Sequence, residues 1–331
     1  MPLPAPPTIP GLRFRPLGGR RDYAGMVAVH RACAEVDGLD EVVTEAELAN
    51  FVENADSLDP SLDITLADVE GRAVAYSWIS HRLQTAGDEL HFHRGYVHPA
   101  WRRRGLGAAM LHQMTRRAEA CRLGSVGRRF LQSYIADGEV SAAALLSSRG
   151  YAPVRYSFKM VRDLSQPIPD LPLPSGLEVR PAEAAHFRAI WEAEREAFQD
   201  HWGYAPWPEE NYQRFLAFPH YDPSLWRVAW DGDQVAGSVL SYIHPEENSE
   251  HGRLRGYTED ISVRRPWRRR GLASALIARS LAALKERGMT EAALEVDSEN
   301  PTGALRVYQR LGFTAIWRRS LFRRALGAPA A

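Results

Sequence analysis

A turn of arginine and glycine, Arg268-Arg269-Arg270-Gly271-Leu272-Ala273, follows a strand-like run, Thr258–Val263. It opens an apolar helical stretch in which Ile277, Leu281 and Leu284 recur at i, i+4 and i+7. Gly288 is placed to stop that helix. A glycine at a helix start lets backbone N–H groups approach an anion with no Cβ in the way. First-turn N–H groups have no intrahelical partner, and the helix dipole favours negative charge there. Three arginines add fixed positive charge and forked donors for phosphate. Residues 268–274, from Arg268 to Ser274, therefore read as a site for a pyrophosphate. Other groups able to do chemistry stand nearby. Glu259 shares strand parity with Ile261 and Val263, which places all three on one face. Glu295 lies in the strand-like Leu294-Glu295-Val296, and Asn300 and Tyr308 stand at fixed distances before Gly312-Phe313.

Taken together, these residues resemble the GCN5-related N-acetyltransferase (GNAT) family. Its acetyl-CoA signature, Arg/Gln-x-x-Gly-x-Gly/Ala, is met by Arg268-x-x-Gly271-x-Ala273. The family's later Asn…Tyr…Gly-Phe pattern is met by Asn300, Tyr308, Gly312 and Phe313. The resemblance implies acetyl-CoA as cosubstrate and direct attack of a primary amine on the thioester through a tetrahedral intermediate. It implies a splayed strand pair that admits the pantetheine arm, with the backbone of Ile261, Ser262 and Val263 facing the carbonyl. Tyr308 is then the acid for the leaving thiolate, and Asn300 holds backbone or pantetheine amide geometry. The base is Glu259, Glu295 or a water chain; Glu295 stands where ribosomal-protein alanine acetyltransferases carry theirs. Asp260 and Asp297 rank lower on parity, and no metal is expected.

The two halves of the chain repeat each other. Leu12-Arg13-Phe14-Arg15-Pro16 returns as Leu177-Glu178-Val179-Arg180-Pro181, and Asp59-Pro60-Ser61-Leu62 as Asp222-Pro223-Ser224-Leu225. Trp101-Arg102-Arg103-Arg104-Gly105-Leu106 returns as Trp267-Arg268-Arg269-Arg270-Gly271-Leu272, and Gly150-Tyr151 answers Gly312-Phe313. The division expected is a first module over 1–163, a proline-rich linker over 164–176 and a second module over 177–331. Each half reads as strand, helices, hairpin, strand, turn, helix, strand, short helix and closing strands. That order predicts an α/β fold: two tandem modules of the GNAT type, each a mixed, mostly antiparallel sheet flanked by helices. The tandem arrangement resembles two-module acetyltransferases of the mycothiol synthase type.

The first module keeps the turn as Arg102-x-x-Gly105-x-Gly107, with Val97 before it and Arg103 and Arg104 inside it. It carries Leu146 and Gly138 where the second has Tyr308 and Asn300, and a leucine neither gives nor takes a proton. The expectation is a degenerate module that binds CoA or is vestigial, beside a catalytic second one. His93 and His98 read as packed or surface residues. On the acceptor side, the aromatic run from Phe198 to Trp207, with Tyr212, Phe215, His220 and Tyr221, is interleaved with Glu192, Glu196, Asp200, Glu209 and Glu210. It forms a pocket for a cationic amine or simply covers the sheet.

Composition bounds the partners. The 331 residues are 45% hydrophobic and 25% charged, with Lys+Arg and Asp+Glu equal at 41, which argues against nucleic-acid or membrane partners. Two cysteines, Cys33 and Cys121, make no disulfide framework and fit a reducing cytoplasm. The proline-rich start lacks an apolar signal core and reads as a lead-in. A small-molecule or peptide amine is the expected acceptor, and the chain is expected to be a monomer or homodimer. The alternative is a non-catalytic CoA- or acyl-CoA-binding regulator of the same fold. A dinucleotide oxidoreductase is excluded, because neither turn completes Gly-x-Gly-x-x-Gly.

Overall fold

A computed structural model describes residues 7–54, 57–124, 127–300 and 303–327. The first six residues of the lead-in and the Pro301-Thr302 part of the Asn-Pro turn lie outside these. In the first half the order is β1 (Leu12–Pro16), α1 (Tyr23–Asp37), α2 (Glu45–Glu53), α3 (Pro60–Asp63), β2 (Ile64–Val69), β3 (Arg72–Leu83), β4 (Glu89–Val97), α4 (Leu106–Ala120), β5 (Arg129–Ala136), α5 (Val140–Ser148) and β6 (Ala152–Asp163). Among the described residues the second half follows the same order, without an α-helix in the place of α3 and with one inserted after its third strand: β7 (Glu178–Arg180), α6 (Phe187–Ala197), α7 (Glu209–Leu216), β8 (Arg227–Asp231), β9 (Gln234–Ile243), α8 (Pro245–His251), β10 (Arg255–Val263), α9 (Leu272–Glu286), β11 (Glu291–Asp297), α10 (Ala304–Arg310) and β12 (Thr314–Ala325).

The chain forms two compact units, and their boundaries differ from the sequence division. Unit one runs to Arg155 and takes back the chain from Arg319, while unit two is Tyr156–Arg318. The physical reason is an exchange of closing strands. In unit one, β12 pairs antiparallel with β5 over Arg319–Ala325. In unit two, β6 pairs antiparallel with β11 over Ser157–Asp163. A repeated arginine fastens each exchanged strand. Arg162 on β6 donates to the Leu311 carbonyl at the end of α10 at 2.5 Å, and Arg324 on β12 donates to the Arg149 carbonyl after α5 at 3.3 Å.

In unit two the sheet order is β7-β8-β9-β10-β11-β6, antiparallel except where β10 meets β11. Helices cover both faces, so β9 is buried along nearly its whole length. Val239 packs with Leu276, Leu281 and Leu284 of α9, and its neighbour Leu240 packs with Ile190 and Trp191 of α6. Helix α9 ends as the glycine predicted. Gly288, at φ 82°, donates to the Lys285 carbonyl while Met289 donates to that of Leu284, the paired bonds of a Schellman motif.

Candidate active site

Two departures from regular sheet open a cleft in unit two. The parallel ladder of β10 and β11 holds only from Arg255–Glu291 to Tyr257–Ala293, although β10 continues to Val263 and β11 to Asp297. Beyond that point the strands part. On its other side β10 carries a bulge: Glu259 opposes Leu240, but Ser262 opposes Ser238, so one residue is extra. Asp260 sits in the bulge at φ 46°, a conformation a short polar side chain tolerates better than most, and accepts the Tyr221 hydroxyl at 2.5 Å. The bulge corrects the parity expected for this strand. Directly opposed residues share a face, so Glu259 lies on the Leu240 side, while Ile261 and Val263 pack into the cluster around α9. Asp260, ranked low on parity, reaches the cleft for the same reason.

The cleft has a volume of about 880 Å³. Ile261, Ser262, Val263, Arg268, Arg269, Gly271, Leu272, Ala273 and Ser274 line its turn side, and Glu259, Asp260, Glu295, Asp297, Asn300 and Tyr308 its other walls. Arg270 is exposed and does not line it. Arg269 at φ 60° and Gly271 at φ 85° turn the backbone into a concavity of N–H groups before α9 begins. A Cβ at Gly271 would have no atom within 4 Å, so the cradle is open where a phosphate would approach.

The guanidinium of Arg268 is committed elsewhere, which corrects its expected role as a phosphate fork. It donates to the Val263 carbonyl at 2.9 Å, to Asp200 at 2.5 Å and to the Ala197 carbonyl at 3.0 Å. It ties the end of β10 to the end of α6 and so fixes the turn between them. Arg265 and Arg268 hold the Asp200 carboxyl well below the usual range. The first half repeats the lock: Arg102 donates to the Val97 carbonyl at 3.1 Å and to both Asp37 oxygens at 2.6 and 2.7 Å. Asp37 and Asp200 are a repeat pair that could have been found in the sequence.

Glu259 accepts the backbone N–H of Glu295 at 3.0 Å, across the parting of the strands. Burial pushes its carboxyl well above the ordinary value, and the charges of Asp260 and Glu295 add to this. Glu295 is exposed and accepts the Ser157 hydroxyl at 2.5 Å. Tyr308 on α10 is 7% exposed, packs edge-on against Phe313, and is pushed up by burial first and the Glu259 charge second. Asn300 accepts the N–H of Gly303 at 3.1 Å in the turn before α10. Much of the aromatic run packs on the core: Phe215 is buried with Trp191 and Trp226 of the flanking elements, and Trp207, Tyr212 and Tyr221 pack on that cluster. Only Phe198 and His201 of that run reach the cleft with Asp200, and Glu196 and Glu209 are paired with Arg264 and Arg188.

Unit one has a smaller cavity of about 360 Å³, lined in part by Val97, Arg102, Arg103, Gly105 and Gly107; Arg104 is exposed outside it. Its β4 has no bulge, and its parallel ladder with β5 ends at Phe92–Gln132. Where the strands part, Arg94 on β4 donates to the Tyr134 carbonyl of β5 and to Glu139 at 2.8 Å. Gly138 lies so close to α1 that a Cβ there would fall 1.9 Å from the Asp37 carbonyl oxygen, which excludes an asparagine. Pro7 lies 3.8 Å from the Cβ position of Gly105, over the turn that is open at Gly271. His93 is buried against the Tyr151 hydroxyl at 2.9 Å, and His98 caps Ala100.

Residues 187–313 match the Acetyltransferase (GNAT) family and residues 60–153 an Acetyltransferase (GNAT) domain. A mycothiol acetyltransferase from Geodermatophilus obscurus is 30% identical over 313 residues, covering 91% of this chain and 96% of that protein. Another from Thermobispora bispora is 32% identical over 220 residues, covering 66% of this chain and 70% of that protein. A GCN5-related N-acetyltransferase from Sphaerobacter thermophilus superposes with a TM-score of 0.67 at 28% identity, covering 96% of each chain. A tandem GNAT protein of the clavulanic acid biosynthesis pathway shares the fold at the same TM-score and 16% identity, covering 96% of this chain and 100% of that one.

Proposed function

The chain belongs to the GNAT acetyltransferase family, and we propose that its second unit moves the acetyl group of acetyl-CoA to a primary amine of a small molecule. That it is an acetyl-CoA-dependent acyltransferase follows from the family; the amine, the residues and the unit are our reading. One observation carries it. The open concavity at Arg269–Gly271, the parted strands, Glu259 and Tyr308 all line a single cleft. Among the described residues no helix is long and apolar enough to cross a membrane.

The N–H groups of residues 269–274 are the ones to hold the diphosphate, and the parted strands the ones to take the pantetheine arm. Glu259 accepts a proton from the acceptor's ammonium group, which frees the nitrogen lone pair to form the C–N bond. Backbone N–H groups between Ile261 and Val263 stabilise charge on the carbonyl oxygen. As the C–S bond breaks, the electron pair leaves with sulfur and Tyr308 gives it a proton. The second proton shed by nitrogen restores the phenol. Holding amine and thioester side by side removes encounter entropy, worth up to about 7–11 kcal/mol in well-oriented systems.

Unit one contributes no transfer on this reading, since Leu146 stands where unit two has Tyr308, Arg94 spans its strand opening and its cavity is the smaller one. The test is thiol release from acetyl-CoA with a panel of amino sugars, aminoglycosides, amino acids, peptide N-termini and mycothiol-related amines. The panel includes the last because of the relatives' name. We expect saturable release with one class of amine, lost in Glu259→Gln. Tight acetyl-CoA binding with no release across the panel would favour a CoA-binding regulator instead.

A further inference from the structure

Strand β6 sets a lysine beside Glu295, a residue of the cleft wall. Lys159 stands directly opposite Glu295 in the β6–β11 ladder, so the two side chains share a face of the sheet. The lysine is 6% exposed. Its ammonium donates to the Tyr257 hydroxyl at 3.2 Å and lies 5.2 Å above the Tyr257 ring and 5.7 Å from that of Trp317. Tyr257 precedes Glu259 by two residues, ahead of the bulge, so tyrosine, glutamate and lysine face the same side. A buried ammonium is costly unless its charge is compensated, and the Tyr257 hydroxyl and the two aromatic faces contribute to that compensation.

The repeat shows that the strand does not need this residue. The corresponding place on β12 in unit one, at the offset that relates Arg162 to Arg324, is Leu321, which is buried and opposes Tyr134. The two halves therefore differ here: Lys159 opposite Glu295 in the unit with the open cleft, Leu321 opposite Tyr134 in the other.

Resting on the function proposed above, we propose that Lys159 is a positioning residue for the transfer. Its ammonium, opposite Glu295 on the face that carries Glu259, offsets the crowding of those two carboxylates and so leaves Glu259 able to take the proton of the acceptor amine. The groups bearing on Glu259 are Asp260 in the bulge, Glu295 on β11, Lys159 on β6, Tyr242 on β9 and Tyr308 on α10. The buried Glu194 of α6 acts beside Asp260. Of the charged groups among these, Lys159 alone is a cation, and its charge opposes the upward push on Glu259. The Tyr257 hydroxyl that accepts from Lys159 also donates to Glu247, a carboxylate that Arg253 pairs.

The experiment is a titration of the glutamate carboxyl carbons by 13C NMR in the full chain, with the Glu259 signal identified through Glu259→Gln. Lys159→Gln removes the charge but keeps a polar end for Tyr257; Lys159→Arg keeps charge and ring stacking. We expect the Glu259 midpoint to rise by about one pH unit in Lys159→Gln and to stay in place in Lys159→Arg. The acidic limb of kcat/KM, with D-glucosamine or the best amine of the panel, moves with it. On that limb a one-unit shift is a tenfold loss of rate at fixed pH. Lys159→Met keeps the packed stem without the charge, and there too the midpoint rises. A midpoint unmoved by Lys159→Gln, or by Lys159→Met should the glutamine variant not fold, overturns the assignment. A shifted midpoint with no turnover on any amine would sink the proposed function while leaving the charge balance standing.

Discussion

Glu259 takes the N–H of Glu295 at 3.0 Å at the place where β10 and β11 stop pairing. One carboxylate thus bridges the opening proposed for the pantetheine arm, and it occupies one backbone donor of the opposite strand. The two carboxylates considered for base duty are consequently unequal. Glu259 is enclosed and displaced upward, while Glu295 is exposed and bonded to Ser157. A base working near neutral pH is better served by the first.

Replacing Glu259 with glutamine removes the proton acceptor, and kcat/KM is expected to fall by about 10²–10⁴-fold. The sign of the pH dependence follows from the raised carboxyl: activity requires the ionised form, so the rate climbs with pH through a midpoint above the ordinary value of about 4.3. Initial rates of thiol release between pH 5 and 9 check this. A wild-type limb at the ordinary carboxylate position would count against Glu259.

Tyr308→Phe deletes the hydroxyl and keeps the ring against Phe313. We expect kcat to drop by roughly 10²-fold with little change in KM, because the lost proton is needed only as sulfur leaves. Burial keeps the phenol protonated well beyond neutral pH, so no alkaline limb from it is expected below about pH 10. Unchanged kcat in Tyr308→Phe would remove the acid role.

At Gly271 the backbone has φ 85° and an empty Cβ position. Gly271→Val strains the turn and fills the phosphate's approach, and affinity for acetyl-CoA in calorimetry should fall by about tenfold or more. The same change at Gly105 should leave binding unaltered. Wild-type protein should titrate with one acetyl-CoA per chain. Two per chain would show that unit one opens despite Arg94, Gly138 and Pro7.

Arg268→Ala cuts the tether between Val263 and Asp200. The expected result is several-fold weaker acetyl-CoA binding through a loosened turn, and Arg268→Lys should not restore it, since one ammonium cannot reach three acceptors in a fork. Asp200 stays ionised until the pH falls through its depressed value, so this lock adds no pH dependence to binding across the neutral range. Full rescue by lysine would point to a simple charge effect on phosphate.

How much of this was legible in the sequence depended on whether the signal was local. Gly271, Asn300 and Tyr308 lie in short runs whose spacing survives any rearrangement elsewhere, and all three line the cleft. The bulge was hidden because strand parity assumes one residue per step. Yet the repeat registers it, since Phe92 and Tyr257, the ladder ends, differ by 165 and Val97 and Val263 by 166. The exchange of β6 and β12 is a long-range pairing that proximity in sequence argues against. Lys159 and Ser157 precede the linker, so sequence order assigns them to the first module although their strand pairs with β11. The arginines misled for a simpler reason: a guanidinium beside a phosphate turn can serve the ligand or the scaffold, and only the position of Asp200 shows which.

The most direct measurement is a crystal structure of the full chain with acetyl-CoA. The diphosphate is expected against the N–H groups of residues 269–274, the pantetheine arm between β10 and β11, and the sulfur within hydrogen-bonding reach of the Tyr308 hydroxyl. Density confined to the turn at Gly105, or a sulfur turned away from Tyr308 and Glu259, would contradict this arrangement.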